Sequence, residues 1–135
     1  MKNMTFKGTL IFAAMIVLAA AIGLSAKNSG KASMKFAEPI YDFGIVKEDG
    51  GAVSHEFDFE NAGSANLIIY EAKADCGCTR PDYPKAPIAP GKQGKIKVTY
   101  NPLGRPGAFT KVVTIKTNGS PSKVRLKIRG TVSPK

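Results

Sequence analysis

Tryptophan is absent from this chain, which carries two cysteines and a single histidine among its 135 residues. The missing Trp, with both cysteines side by side at Cys76 and Cys78, excludes an antibody-type domain, which packs a buried Trp on a disulfide between its sheets. Two cysteines and one histidine also fall short of the four Cys and His ligands of a structural zinc site. No acid follows Asp82, whereas twelve Lys or Arg residues lie between Tyr83 and the C-terminus. With one histidine, no phosphate-binding loop and no acid in that C-terminal part, no hydrolase or kinase constellation assembles. The chain therefore reads as non-enzymatic. No helical periodicity and no long apolar run occur after residue 26.

What is present begins with a targeting signal. Lys2 and Lys7 form a basic start, Leu10 to Leu24 is unbroken apolar and small residues, and Ser25-Ala26 offers a cleavage site. Residues 1–26 are therefore expected to be a signal peptide, although Leu24 fits the small-x-small preference poorly. The run is shorter than the roughly 20 residues of a spanning helix. Left uncleaved, residues 8–26 would instead anchor the chain in the inner membrane. No cysteine lies near the site to carry a lipid. Residues 27–35 (KNSGKASMK) read as a polar linker and residues 36–135 as one domain. Export implies a periplasmic or secreted protein in a compartment that permits disulfides. A domain of this size buries a core without staples, so the cysteines are not needed as scaffold.

Beyond the linker the pattern has period two. Strands are expected at Tyr41–Val46, Ala52–Glu60, Asn66–Ala74, Lys95–Tyr100, Ala108–Thr117 and Lys123–Val132. Turn residues separate them: Glu48 to Gly51, Asn61 to Ser64, Asn101 to Gly107 and Asn118 to Pro121. Pro81, Pro84, Pro87 and Pro90 exclude a helix and a central strand from Asp75 to Gly91, leaving a crossing segment with an edge strand at Lys85–Ile88. Short strands at this spacing point to an all-β, seven-stranded Ig-like β-sandwich preceded by the N-terminal hydrophobic segment.

The same residues carry a resemblance. Phe43-Gly44-x-Val46, His55-x-Phe57-x-Phe59-x-Asn61-x-Gly63, Leu67-x-Ile69, Cys76-Gly77-Cys78-Thr79-x-Pro81, Pro90-Gly91, Ile96-x-Val98-x-Tyr100, Gly107-x-Phe109, Ile115-x-Thr117-Asn118 and Gly130-x-Val132 together resemble the bacterial family called domain of unknown function 1573. The resemblance covers residues 37–132. It implies an Ig-like domain akin to those of Hydin and the major sperm protein superfamily, exported and often lipid-anchored. This chain departs from the last feature by lacking the lipid-bearing cysteine. The resemblance implies no activity.

Three features are candidates for function. Cys76-Gly77-Cys78 follows the third strand, with Gly77 placed to bend the backbone. The pair either binds Cu(I), which is content with two or three soft ligands, or closes a small disulfide open to redox exchange, or fills space as small apolar residues. His55 shares its facing with Phe57 and Phe59 and points inward. It is either a packed histidine or a third ligand beside the cysteines. The third feature is charge. Glu56, Asp58 and Glu60 should face outward beside Lys95 and Lys97 on a neighbouring strand, each opposite pair contributing about 0.2–1 kcal/mol. Lys116, Arg125, Lys127 and Arg129 fall on the other sheet with no acids expected beside them. They are either a solvated, edge-protecting face or a site for an anionic surface such as lipid headgroups or polysaccharide. Nucleic acid is excluded by export and by the lack of interleaved aromatics. The chain thus reads as a binding or assembly module of the cell envelope, its partner an envelope protein or an anionic surface, with no cofactor. The alternative is a Cu(I)-binding or thiol-redox protein.

Overall fold

A computed structural model describes residues 30–135, so the signal or anchor segment and the first linker residues lie outside the described residues. Eight strands follow in order: β1 Met34–Phe36, β2 Ile40–Lys47, β3 Val53–Asn61, β4 Ile69–Ala74, β5 Thr79–Asp82, β6 Gln93–Tyr100, β7 Gly107–Thr117 and β8 Lys123–Ser133. They form two four-stranded sheets, β1-β3-β6-β5 and β2-β8-β7-β4. Every pairing is antiparallel except β2 with β8, which is parallel.

The alternation seen in the sequence places the core. Phe57, Phe59, Ile96, Val98 and Tyr100 face inward from one sheet, and Val113, Ile115, Leu126, Ile128 and Val132 from the other. Each such side chain, fully buried, contributes about 1.5–3 kcal/mol of transfer free energy. Tyr100 and Phe109 stack across the gap between the sheets with ring centroids 4.0 Å apart. Burial pushes the Tyr100 phenol above its ordinary value, with the nearby Arg105 charge opposing. The folded form thus holds that proton more tightly than the unfolded chain does. Its contribution is complete below the unfolded phenol's pKa of about 10 and is lost as pH rises through the higher folded value. Unfolding followed from neutral pH to above about pH 10 should show wild type losing more stability than Tyr100→Phe. Parallel losses would mean that the phenol contributes nothing.

Three sequence expectations are corrected. The strand count is eight rather than seven, because the three-residue β1 pairs with β3 from Met34↔Asn61 to Phe36↔Phe59. That strand takes up the end of the segment read as linker, and Ala32 is buried as well. A polar composition hid the few apolar side chains that dock. The edge strand expected at Lys85–Ile88 is reduced to one bridge, Leu67↔Ile88, and the edge strand is instead β5. Pro81 tolerates that position because β5 pairs on one side only, with β6.

Edge strand β2 is interrupted by a register shift between Asp42 and Ile45. Gly44 takes φ +68° there, and its N–H donates to the Asp42 carboxylate at 2.8 Å. A bulge of this kind twists an edge away from further pairing.

Candidate functional site

The two outer faces differ in charge. On the β1-β3-β6-β5 sheet, the exposed Lys35, Arg80, Lys95 and Lys97 are matched by Glu56, Asp58, Glu60 and Asp82. Strand register makes the match: Glu56 stands opposite Lys97, and Asp58 opposite Lys95. Lys95 Nζ lies 2.7 Å from Asp58 and 3.7 Å from Glu56. The Asp58 hydrogen bond, then its charge, raises the Lys95 pKa. The expected acid and lysine stripes therefore meet. An open depression of about 780 Å³ on this side is lined by both signs, Lys35 and Lys95 with Asp58 and Glu60.

On the β2-β8-β7-β4 sheet the outer face carries Lys47, Lys73, Lys116, Lys123, Arg125, Lys127 and Arg129 against Asp42, Glu71 and, just past the end of β4, Asp75, which accepts from Val112 N–H at 3.3 Å. This corrects the expectation that the basic residues here have no acids. Lys116 pairs with Glu71 at 3.2 Å, and Arg129 with Asp42 at 3.2 Å. The cause is strand order. β4 lies antiparallel to β7 and sets Glu71 opposite Lys116, while parallel β2 sets Asp42 opposite Arg129. Such exposed pairs add little stability, about 0–1 kcal/mol, but they neutralise two of the four candidate residues. Arg125 and Lys127 face Thr114 and Val112 instead, and make no ion pair among the described residues. Lys116 also stands directly opposite Lys123, a like-charge arrangement that costs stability in a sheet. A shallow groove of about 280 Å³ runs between β4 and β7 on this face, lined by both signs, Lys73 and Lys116 with Glu71 and Asp75.

The cysteine turn lies at one end of the sandwich, between β4 and β5. Cys76 and Cys78 are bonded to each other as a disulfide. The backbone turn is closed by Thr79 N–H donating to Cys76 O at 3.3 Å, and Cys78 O accepts from Asn101 N–H at 2.9 Å. Gly77 does not have a positive φ, and a Cβ built on it would meet nothing within 4 Å. The turn thus forms without the conformational freedom of glycine, contrary to the expected role of Gly77. Cys78 is buried in the core cluster, whereas Cys76 is half-buried and only packs against it.

His55 sits elsewhere. It stands opposite Val98 on β6, which in turn faces Pro81 on β5. Two strand spacings of about 4.8 Å separate it from the strand that follows the cysteines. Its ring stacks on Tyr41 at 3.6 Å, with the planes 6° apart, and meets Phe57 edge-on at 4.8 Å. His55 is a packed aromatic partner between β2 and β3, and the structure does not bring it to the cysteines. Among the described residues, no group of three or more His, Cys, Asp or Glu side chains is placed to hold a metal.

Two further residues escaped the sequence reading. Thr79 is buried, and its hydroxyl lies 3.5 Å from Cys78 Sγ and 3.9 Å from Cys76 Sγ. Asn61 is fully buried at the end of β3, with all four amide hydrogen bonds made. Both stand in the motif string of the family resemblance, which was the one signal available for them.

Two four-stranded sheets packed face to face form an Ig-like β-sandwich. The chain belongs to the family described as protein of unknown function (DUF1573), whose profile matches residues 34–132. Among solved structures it is similar to a protein of unknown function from Porphyromonas gingivalis W83, with 15% identity and a TM-score of 0.64, covering 74% of this chain and 46% of that one. It is also similar to the ASH/PapD-like domain 7 of human CEP192, with 13% identity and a TM-score of 0.60, covering 78% and 87%. The E. coli chaperone DraB shares the fold at 8% identity and a TM-score of 0.52, covering 76% of this chain and 56% of DraB. Likeness at these identities shows the fold alone. The chain spans less than half the length of the Porphyromonas protein. No curated protein matches the sequence.

Proposed function

We propose that this chain is an exported, non-enzymatic Ig-like module that docks on an anionic surface of the cell envelope through the outer face of the β2-β8-β7-β4 sheet. The observation that carries the reading is the difference between the two faces. One balances its charges residue by residue, and the other keeps an excess of Lys and Arg centred on the unpaired Arg125 and Lys127. Export rests on the Lys2 to Ala26 segment. The cations of this face are spread over neighbouring strands rather than gathered around a pocket, which suits an extended layer of lipid headgroups better than a folded ligand. Each Lys or Arg held near an anionic membrane contributes about 1 kcal/mol. Arg125 and Lys127 are the centre of the site, and Lys116 and Arg129 are flanking cations already shared with Glu71 and Asp42.

The test uses vesicles containing an anionic phospholipid, with neutral vesicles as control. Arg125→Glu with Lys127→Glu should weaken binding by at least about 30-fold, since two attractive charges at about 1 kcal/mol each are lost. The melting temperature should change by no more than about 5 °C, because two surface changes of under about 0.5 kcal/mol each sum to under about 1 kcal/mol. Wild-type binding should fall as salt screens the face. A double variant that binds anionic vesicles like wild type would overturn the proposal. So would binding to an envelope polysaccharide with none to vesicles, which would move the partner to another class.

A further inference from the structure

We propose that the Cys76–Cys78 bond is a thiol–disulfide exchange site, reduced by a dithiol that attacks Cys76. Nothing in the docking role described above uses this pair. The bond encloses a single residue, Gly77. A cross-link stabilises a fold chiefly by restricting the unfolded chain, and the effect shrinks as the loop shortens. The turn is held without it, by the Thr79 N–H to Cys76 O bond and by the Asn101 N–H to Cys78 O bond that continues the β5-β6 ladder. The disulfide therefore joins two residues that the backbone already keeps together.

The surroundings of the two sulfurs differ in the way an exchange site requires. Cys76 is only half-buried, and the space that a Gly77 side chain would fill is open, so Cys76 is the cysteine nearer solvent. Cys78 is 5% exposed and shielded from direct attack. Each sulfur has a donor ready for the negative charge it would carry. Cys78 N–H points to Cys76 Sγ at 3.2 Å. The Thr79 hydroxyl, 5% exposed, has only the two sulfurs as side-chain partners among the described residues, Cys78 Sγ being nearer at 3.5 Å. Hydrogen bonds to a charged form favour that form, and a better-stabilised leaving thiolate departs faster.

The exchange balances as follows. A thiolate of the dithiol attacks Cys76 Sγ and forms a mixed disulfide. The Cys76–Cys78 bond breaks, and its electron pair leaves on Cys78 Sγ, which accepts the Thr79 hydrogen bond and then takes a proton from solvent. The second thiol of the partner loses its proton and attacks the partner's own sulfur in the mixed disulfide. Cys76 leaves as a thiolate, held by the Cys78 N–H until it too is protonated. The dithiol is oxidised to a disulfide, and the protein gains two electrons and two protons.

The experiment equilibrates the protein with dithiothreitol, and separately with the monothiol glutathione, then alkylates free thiols and reads intact mass and melting temperature. Two thiols per chain should appear in one step in native buffer, at least about tenfold faster with the dithiol at equal thiol concentration. The reduced form should melt within about 3 °C of the oxidised one, since the one-residue loop restrains little. With oxidised glutathione in place of the reductant, Cys78→Ser should form a glutathione adduct on Cys76, releasing one reduced glutathione, at least about tenfold faster than Cys76→Ser forms one on Cys78. Thr79→Val should shift the half-reduction ratio toward the disulfide by about fivefold, the worth of one ordinary hydrogen bond. The proposal is overturned if thiols appear only in denaturant, if reduction unfolds the domain, or if the two single-cysteine variants react at equal rates. The cysteine variants decide the matter if Thr79→Val does not fold.

Discussion

Asn61→Leu should lower the stability of the domain by about 3–5 kcal/mol, the largest effect expected of any single side chain that leaves core volume nearly unchanged. The Asn61 side chain is the hub of one end of the sandwich. Its Oδ1 accepts from Ser33 N–H at 3.2 Å and from Gly63 N–H at 3.0 Å. Its Nδ2 donates to Ala65 O at 2.8 Å and to Ile88 O at 2.9 Å. One amide therefore ties the chain before β1, the turn after β3 and the crossing segment before β6. Leucine leaves two N–H groups and two carbonyls without that partner, and burying an unsatisfied group costs about 1–3 kcal/mol. Some of the four would regain water, so the sum is reduced. Thermal unfolding should show a drop of at least about 12 °C for a domain of this size. A drop under about 3 °C would show that the hub is dispensable.

Gly63→Val should be of similar size and act at the same junction by a different route. A Cβ on Gly63 would collide with Lys31 O, Ser33 N and Ala32 C, all of them backbone atoms that no side-chain rotation relieves. The chain before β1 must then move off, breaking the Ala62 N–H to Ser33 O bond of 2.8 Å and exposing Ala32 and Met34. The expected cost is about 2–4 kcal/mol, in the range of other overpacked sites. Amide exchange should show β1 losing its protection while β6, β7 and β8 keep theirs. Uniform loss across all strands would instead mean that β1 is inseparable from the cooperative unit. Asn61→Leu and Gly63→Val share partners, so their combination should cost less than the sum of the two.

The strands read most clearly were those with one wet and one dry face. His55, Phe57 and Phe59 against Glu56, Asp58 and Glu60 marked β3 to within a residue or two, because burial on one side of a pleated strand imposes period two. β1 and β5 were not legible. Three residues in one and four in the other are too few to show a period. The proline spacing excluded a helix and a central strand correctly, but placed the edge segment at the wrong end of the crossing.

Charge shows the same division. The Glu56 to Glu60 stripe and Lys95 with Lys97 met as expected, since β3 and β6 pair over their full length. Lys116 and Arg129 found acids because β4 and the parallel β2 flank the basic hairpin. No alternation within a strand reveals which strand lies beside it.

By itself, the sequence determined the all-β class, the inward and outward set of most strands, the basic bias after Asp82 and the closeness of the two cysteines. These are properties of residue type and of neighbours along the chain. The tertiary structure alone decided that His55 stacks on Tyr41 rather than joining the cysteines, that Arg125 and Lys127 stay unpaired while Lys116 and Arg129 do not, and that the Thr79 hydroxyl faces sulfur. Each of these depends on strand order and register. Those are set by how the whole core packs, through contacts between residues far apart in the chain.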